Sequence, residues 1–203
     1  MKVVAFNGSP RKGGNTEFLL KTALKELEAE GIETELIQVG GQMLRGCTAC
    51  CWCRDSGEKR CVINNDPLNG YINKMREADG ILLGSPTYFA DLTSEMKALI
   101  DRSGYVLRPG MELRRKVGAG IVTARRGGSI HTFDSLNHFF LINEMLVVGS
   151  CYWNDGYGGP VGAVETGDAE GVKTAQILGR NMAWTLKKLH ALFLPEFGKD
   201  IDG

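Results

Sequence analysis

The sequence predicts an open, parallel α/β sheet with helices on both faces. Three observations carry this. Apolar runs of strand length alternate with segments of helical period along the whole chain. Glycine-containing turns follow three of those runs, near residues 8–16, 84–91 and 123–128. The inner runs are almost continuously apolar, as strands covered on both faces must be. With 203 residues, 43% of them hydrophobic, the chain suffices for one well-packed domain (1–203) with an added arm at about 40–65.

The first strand is Lys2-Val3-Val4-Ala5-Phe6, and a helix follows from Asn15. On that helix Phe18, Leu19, Ala23, Leu24 and Leu27 share one face, and Gly31 ends it. Glu33 to Val39 alternates polar with apolar, which reads as a half-buried strand near a sheet edge. Residues 40–65 lose all period and hold five of the six cysteines. Asp66 as N-cap and Pro67 at the first helical position open a helix to about Ala78. Gly80 to Gly84 is the third strand, Ser85 to Asp91 a loop and Thr93 to Arg102 a helix. Val117 to Val122 is the fourth strand, Thr123 to Gly128 a loop and Ser129 to about Asn143 a helix. Met145 to Val148 is the fifth strand, and Asn154 to Thr166 a glycine-rich loop. Asp168 to about Leu192 is the last helix, its positive start matched by Asp168 and Glu170. Pro195 stops it, and a short tail runs from about residue 193.

Formal net charge is zero, with 24 basic against 24 acidic residues, so the footprint of a nucleic-acid binder is missing. No apolar run approaches bilayer length, and the N-terminal run is too short for a secretion leader. The expectation is a cytoplasmic protein without membrane or nucleic-acid partners. In that compartment clustered cysteines point to metal or redox chemistry.

The stretch Gly8-Ser9-Pro10-Arg11-Lys12-Gly13-Gly14-Asn15-Thr16 joins a strand to a helix start. Helix-start amides lack intrahelical partners and favour an anion. Ser9 and Thr16 add hydroxyls, Asn15 an amide and Arg11 a planar cationic fork. The stretch lacks Gly-x-x-x-x-Gly-Lys-Ser/Thr and Gly-x-Gly-x-x-Gly, so it is neither a triphosphate loop nor the common dinucleotide fingerprint. It resembles the Gly-Ser-Pro-Arg-x-x-Gly-Asn-Thr loop of the NAD(P)H-dependent FMN reductase and iron–sulfur flavoprotein family. That resemblance implies a flavodoxin-like five-stranded sheet in the order 2-1-3-4-5. Its crevice lies at the carboxyl ends of strands one and three, where the winding reverses.

Gly84-Ser85-Pro86-Thr87-Tyr88-Phe89 resembles the family's isoalloxazine loop, and Leu99-Ile100-Asp101-Arg102 the helix after it. By resemblance, Pro86, Thr87, Tyr88 and Phe89 meet the flavin through backbone and ring; core packing of one aromatic is the plain alternative. Thr123, Ala124 and Gly127 belong to a third loop that resembles the family's more weakly, where Arg125 and Arg126 face the cofactor, a nicotinamide nucleotide or simply solvent. Tyr157, Gly158 and Gly159 either close over the site or meet another subunit.

Cys47, Cys50, Cys53 and Cys61 spell Cys-x₂-Cys-x₂-Cys-x₇-Cys, with Cys51 an extra thiol inside. Such spacing can bend a loop round a cubane, and thiolates suit iron–sulfur clusters and zinc alike. The pattern resembles the compact motif of the iron–sulfur flavoproteins, which implies a [4Fe–4S] cluster; redox-active thiols, zinc and disulfides stay open beside it. Cys151 is expected to pack at a strand end.

No Ser/His/Asp or paired-carboxylate set emerges, and no catalytic side chain is nominated. The flavin would carry the redox chemistry. The resemblance implies an FMN-dependent oxidoreductase, with NAD(P)H as donor and a small molecule or protein as acceptor, in a homodimer or homotetramer. Trp52 would be buried at the subunit contact. The alternatives are an electron carrier whose cluster feeds FMN, and a phosphate-ligand binding module without redox role.

Overall fold

Two periodicities build the sheet, and each strand's residues divide between its faces. In a computed structural model, which describes residues 1–192, β1 (Lys2–Asn7) is an inner strand of the sheet. Val4 and Phe6 enter one core and Val3 and Ala5 the other, as a period of two requires. β2 (Glu33–Gln38), β3 (Gly80–Pro86), β4 (Val117–Ala124) and β5 (Leu146–Val147) complete the order β2-β1-β3-β4-β5, every neighbour parallel. This is the flavodoxin-like arrangement expected. β2 is the polar edge, where Glu33 and Glu35 pair with Lys2 at 3.1 and 3.2 Å.

Helix α1 (Asn15–Ala29) covers one face, together with the last helix. Its apolar stripe, Leu19, Leu20, Ala23, Leu24 and Leu27, is buried, each leucine contributing about 1.5–3 kcal/mol. The arm contains a single helical turn, α2 (Trp52–Asp55), which sequence periodicity could not show. α3 (Leu68–Glu77), α4 (Ser94–Leu107) and α5 (Ser129–Ile142) cover the opposite face. Pro67 occupies the N-cap of α3, not the first helical position, and Asp66 precedes it. The Asp66 carboxylate still accepts from the Leu68 amide at 3.1 Å.

The fifth lane differs from expectation. β5 pairs with the start of β4, and a further strand, β6 (Asp155–Tyr157), pairs with its end. One edge lane is thus split, and part of the expected glycine-rich loop is sheet. α6 (Ala163–Gly167) occupies more of that loop. Cys151, expected to pack, sits exposed in the interruption. α7 (Ala169–Leu192) follows; Asp168 accepts from the Gly171 amide at 2.9 Å and from the Tyr157 amide at 2.7 Å, capping α7 and holding β6 at once. The stop at Pro195 and the tail lie outside the described residues. Among the described residues no helix is long and apolar enough to cross a membrane.

Candidate functional site

The three glycine-bearing loops meet at the carboxyl edge of the sheet and are bonded to one another. The Gly8 amide donates to the Gly84 carbonyl at 2.7 Å. Thr93, the N-cap of α4, donates its hydroxyl to the Gly8 carbonyl at 2.9 Å, and its amide donates to the Ser85 hydroxyl at 3.1 Å. The Thr87 amide donates to the Thr123 carbonyl at 2.8 Å. The hydroxyls of Thr16 and Thr123, 107 residues apart, share a buried hydrogen bond of 2.6 Å.

The first loop is folded on itself. The Asn7 carboxamide accepts from the Ser9 amide, and the Ser9 hydroxyl accepts from the Arg11 amide. Gln38 donates to the carbonyls of Ser9 and Gly40 at 2.6 and 2.7 Å, and its own oxygen accepts from Asn7. Gly40 lies against the loop's back: a Cβ there would stand 2.3 Å from the Gly8 oxygen and the Ser9 carbonyl carbon. Gly14 is the N-cap of α1 and no side chain caps the helix, so first-turn amides stay open to an anion. The Gly13 amide is taken by the Glu17 carboxylate at 2.6 Å. Glu17 titrates below its ordinary value, chiefly because Lys21 bonds to it.

Ser9 and Thr16 are buried beside this helix start. The exposed Arg11 donates to the Gly159 carbonyl at 3.0 Å. Asn15 donates to the Gly158 and Pro160 carbonyls at 3.0 and 2.9 Å. Both side chains therefore strap the loop after β6 to the first loop. Pro86 ends β3, and Thr123 and Ala124 end β4, so these three are strand residues rather than loop residues. Tyr88 and Asp91 exchange backbone bonds of 2.7 and 3.1 Å around Phe89 and Ala90. Both turn residues have positive φ, 45° and 66°, a strained choice for side-chain-bearing residues. This turn holds Tyr88 and Phe89 exposed at the site's mouth. Gly127 is exposed; Gly128, at φ 90°, turns into α5 close to Thr87. Arg125 and Arg126 are exposed. The hydroxyls of Ser129 and Tyr157 share a 2.6 Å bond, and Tyr157 donates to Asp155 at 2.9 Å. Ser129 pulls the Tyr157 phenol down, but burial and Asp155 carry it above its ordinary value.

A second site lies beside α4. Cys47, Cys50, Cys51, Cys53 and Cys61 line one small pocket with Arg102, Tyr105 and Val106. All are free thiols. Ala49 and Cys51 turn the arm through positive φ, 53° and 58°. Burial pushes the Cys53 thiol up, and the nearby Cys61, Cys47 and Cys50 push it further. Among the described residues no three His, Cys, Asp or Glu side chains converge on one point as the ligands of a single ion would. A cubane makes a different demand, since its four thiolates attach to four different irons around a pocket.

Sequence reasoning placed Arg102 in the helix after the second loop, as part of the resemblance, and gave it no role. It is 1% exposed on the apolar face of α4, in line with Leu99 and Val106. It donates to the Arg45 carbonyl at 3.1 Å, the Ile63 carbonyl at 2.8 Å, the Cys61 sulfur at 3.3 Å and the Asp66 carboxylate. Burial pushes the Asp66 carboxyl up, but donation from Arg102 and from the Leu68 and Arg45 amides outweighs it and holds it below its ordinary value. A charged residue on the apolar stripe of an amphipathic helix was the available signal. Gln38, Gly40 and Thr93 were missed too; the Gly40-Gly41 doublet after β2 was their trace. Trp52 is half-buried, with the Arg60 guanidinium 4.8 Å above its ring.

A groove of about 810 Å³ opens beside the cysteine pocket and shares Cys51 and Tyr105 with it. It runs between α4 and α5, and exposed Tyr105 and Ile142 rim it.

Comparison with known proteins covers nearly the whole chain. A family model described as NADPH-dependent FMN reductase matches residues 1–188. An iron–sulfur flavoprotein of Methanocaldococcus jannaschii is 40% identical over 193 residues, covering 92% of this chain and 98% of that one. An iron–sulfur flavoprotein of Methanosarcina thermophila is 33% identical over 189 residues, covering 92% and 96%. The crystal structure of RosB, with bound 8-demethyl-8-formylriboflavin-5'-phosphate, superposes with a TM-score of 0.73 at 20% identity, covering 94% of this chain and 81% of that one.

Proposed function

The chain belongs to the NADPH-dependent FMN reductase family, and from that premise we propose an FMN-dependent oxidoreductase that carries a second redox group in its cysteine arm. It takes electrons from NAD(P)H or a reduced protein and delivers them to a small-molecule or protein acceptor. The observation that carries this reading is the cross-bonding of three distant loops at one sheet edge.

FMN, when bound, supplies hydride and single-electron chemistry that side chains lack. The residues present fit it. The uncapped start of α1, with Ser9 and Thr16 buried beside it, suits the phosphate. Arg11 and Asn15, now on the loop carbonyls of 158–160, stand at the same edge. Pro86, Thr87, Ala124 and Gly127 present backbone to a flat ring, and Tyr88 and Phe89 shield it from water. In the arm, Cys47, Cys50, Cys53 and Cys61 fit a [4Fe–4S] cluster: four free thiols line one pocket. The kinship with proteins named iron–sulfur flavoprotein supports that reading. The free cysteines suit the cytoplasm. The apolar groove between α4 and α5, rimmed by Tyr105 and Ile142, suits burial against a second copy in a homodimer or homotetramer.

Anaerobic purification with flavin, iron and sulfide assays tests both groups. The reading expects one FMN and about four irons per chain. Colourless protein that takes up no added FMN would leave a binding module without redox role. FMN with no iron after reconstitution would leave a plain reductase.

A further inference from the structure

Arg102 has one donor that no structural need explains. Three of its contacts tie backbone and carboxylate together: Arg45 and Ile63, on either side of the cysteines, and Asp66 before α3. The fourth runs from Nε to the Cys61 sulfur at 3.3 Å. Cys61 is itself fixed. Asn69 accepts from its amide at 2.8 Å and donates to its carbonyl at 3.0 Å. The sulfur is thus held against a guanidinium whose side chain is fully buried.

We infer that Arg102 is the positioning residue that sets the electron affinity of the cysteine site, by holding its Nε–H on the Cys61 sulfur. The inference rests on the reading that these cysteines hold a cluster. An N–H donated to a ligand sulfur, backed by a desolvated positive charge, stabilises the state with the extra electron. Arg102 is the one charged side chain of a lining otherwise made of thiols, apolar groups, Thr48 and Tyr105, so no second charge in the pocket offsets it. Asp66 offsets part of the charge but bonds to Nη1, leaving Nε to the sulfur. No covalent step is involved.

The test is the midpoint potential of the reconstituted full-length protein, followed by EPR. Two variants separate tuning from folding. Arg102→Lys keeps a cation near Asp66 but has no Nε fork. Arg102→Gln with Asp66→Asn removes both buried charges together. Iron content, circular dichroism and bound FMN establish that each is folded and loaded. Both should reduce less readily, by at least tenfold in the equilibrium constant, about 59 mV for a one-electron couple. Potentials equal to wild type would overturn the inference. Should either variant fail to load, wild-type protein labelled with ¹⁵N-arginine decides: pulsed EPR of the reduced state should show a nitrogen coupling, and its absence overturns the inference. Wild-type protein that binds no iron fails earlier, at the cluster reading itself, and takes the inference with it.

Discussion

The coenzyme loops and the cysteine arm hold their functional groups in different ways. Each loop continues a buried parallel strand, and backbone bonds and short hydroxyl bridges join it to the next. The restraint is spread over many contacts, each worth about 0.5–1.5 kcal/mol. The arm, residues 40–65, has one helical turn and no strand. Residues near its two ends and Cys61 converge on the Arg102 guanidinium, and Asn69 and Arg76 of α3 add bonds to Cys61, Ile63 and Lys59. A sheet edge can spread its restraints because strands supply regular donors. An irregular segment must borrow a rigid fork from a neighbouring helix.

The sharpest way to break this contrast is to remove the fork. Arg102→Met leaves Asp66 buried without its partner, since the two side chains are 0% and 3% exposed. The cost should be about 3–5 kcal/mol. It should appear as lost amide protection across 45–63 with β1, β3 and β4 still protected. Adding Asp66→Leu should restore much of it, because the unpaired charge goes as well. Acid should reach the same joint. The folded Asp66 titrates below its ordinary value, so its contribution is complete above about pH 4 and is lost as pH falls through the lower folded value. Asp66→Asn should flatten that part of the acid profile. A loss of protection shared equally by the sheet would refute the contrast.

A second substitution tests the loop side. Gly40→Ala places a methyl within 2.3 Å of the first loop's backbone, which has no flexible end to yield. Overpacking of this kind costs about 1–3 kcal/mol. FMN affinity, read by fluorescence titration, should fall about tenfold, since the displaced segment lies at the start of α1. Protection across 45–63 should not change.

Legibility in the sequence follows the same division. Strand identity was readable because buried parallel strands are continuous apolar runs, and Val3 to Phe6 or Ile81 to Leu83 admit little else. The flavodoxin-like order came from the resemblance of two loops. The split fifth lane was not readable. Asp155-Gly156-Tyr157 is too short and too polar to show period two, and only its pairing with Val122 to Ala124 makes it strand. The α2 turn follows from Cys51 in a left-handed conformation, a local strain with no propensity signal. The clustering of four cysteines was readable from spacing. The role of Arg102 was not, because its partners Arg45, Cys61, Ile63 and Asp66 lie 36 to 57 residues away.

The smallest effect belongs to Trp52. The Arg60 guanidinium lies 4.8 Å above its ring, and Arg60 is also held by Glu58 at 2.7 Å. Both charged side chains are about half exposed, so water screens the ion pair and the cation–π contact carries what remains. Arg60→Ala should therefore cost about 0.5–1 kcal/mol, confined to the arm, and visible as faster exchange around 52–60. Indole fluorescence should shift to the red as Trp52 gains water. If the loss instead matched that of Arg102→Met, the arm would have two keystones, and restraint there would be distributed as it is in the loops. The 0% exposure of the Arg102 side chain against 42% for Arg60 is the physical ground for expecting the large difference.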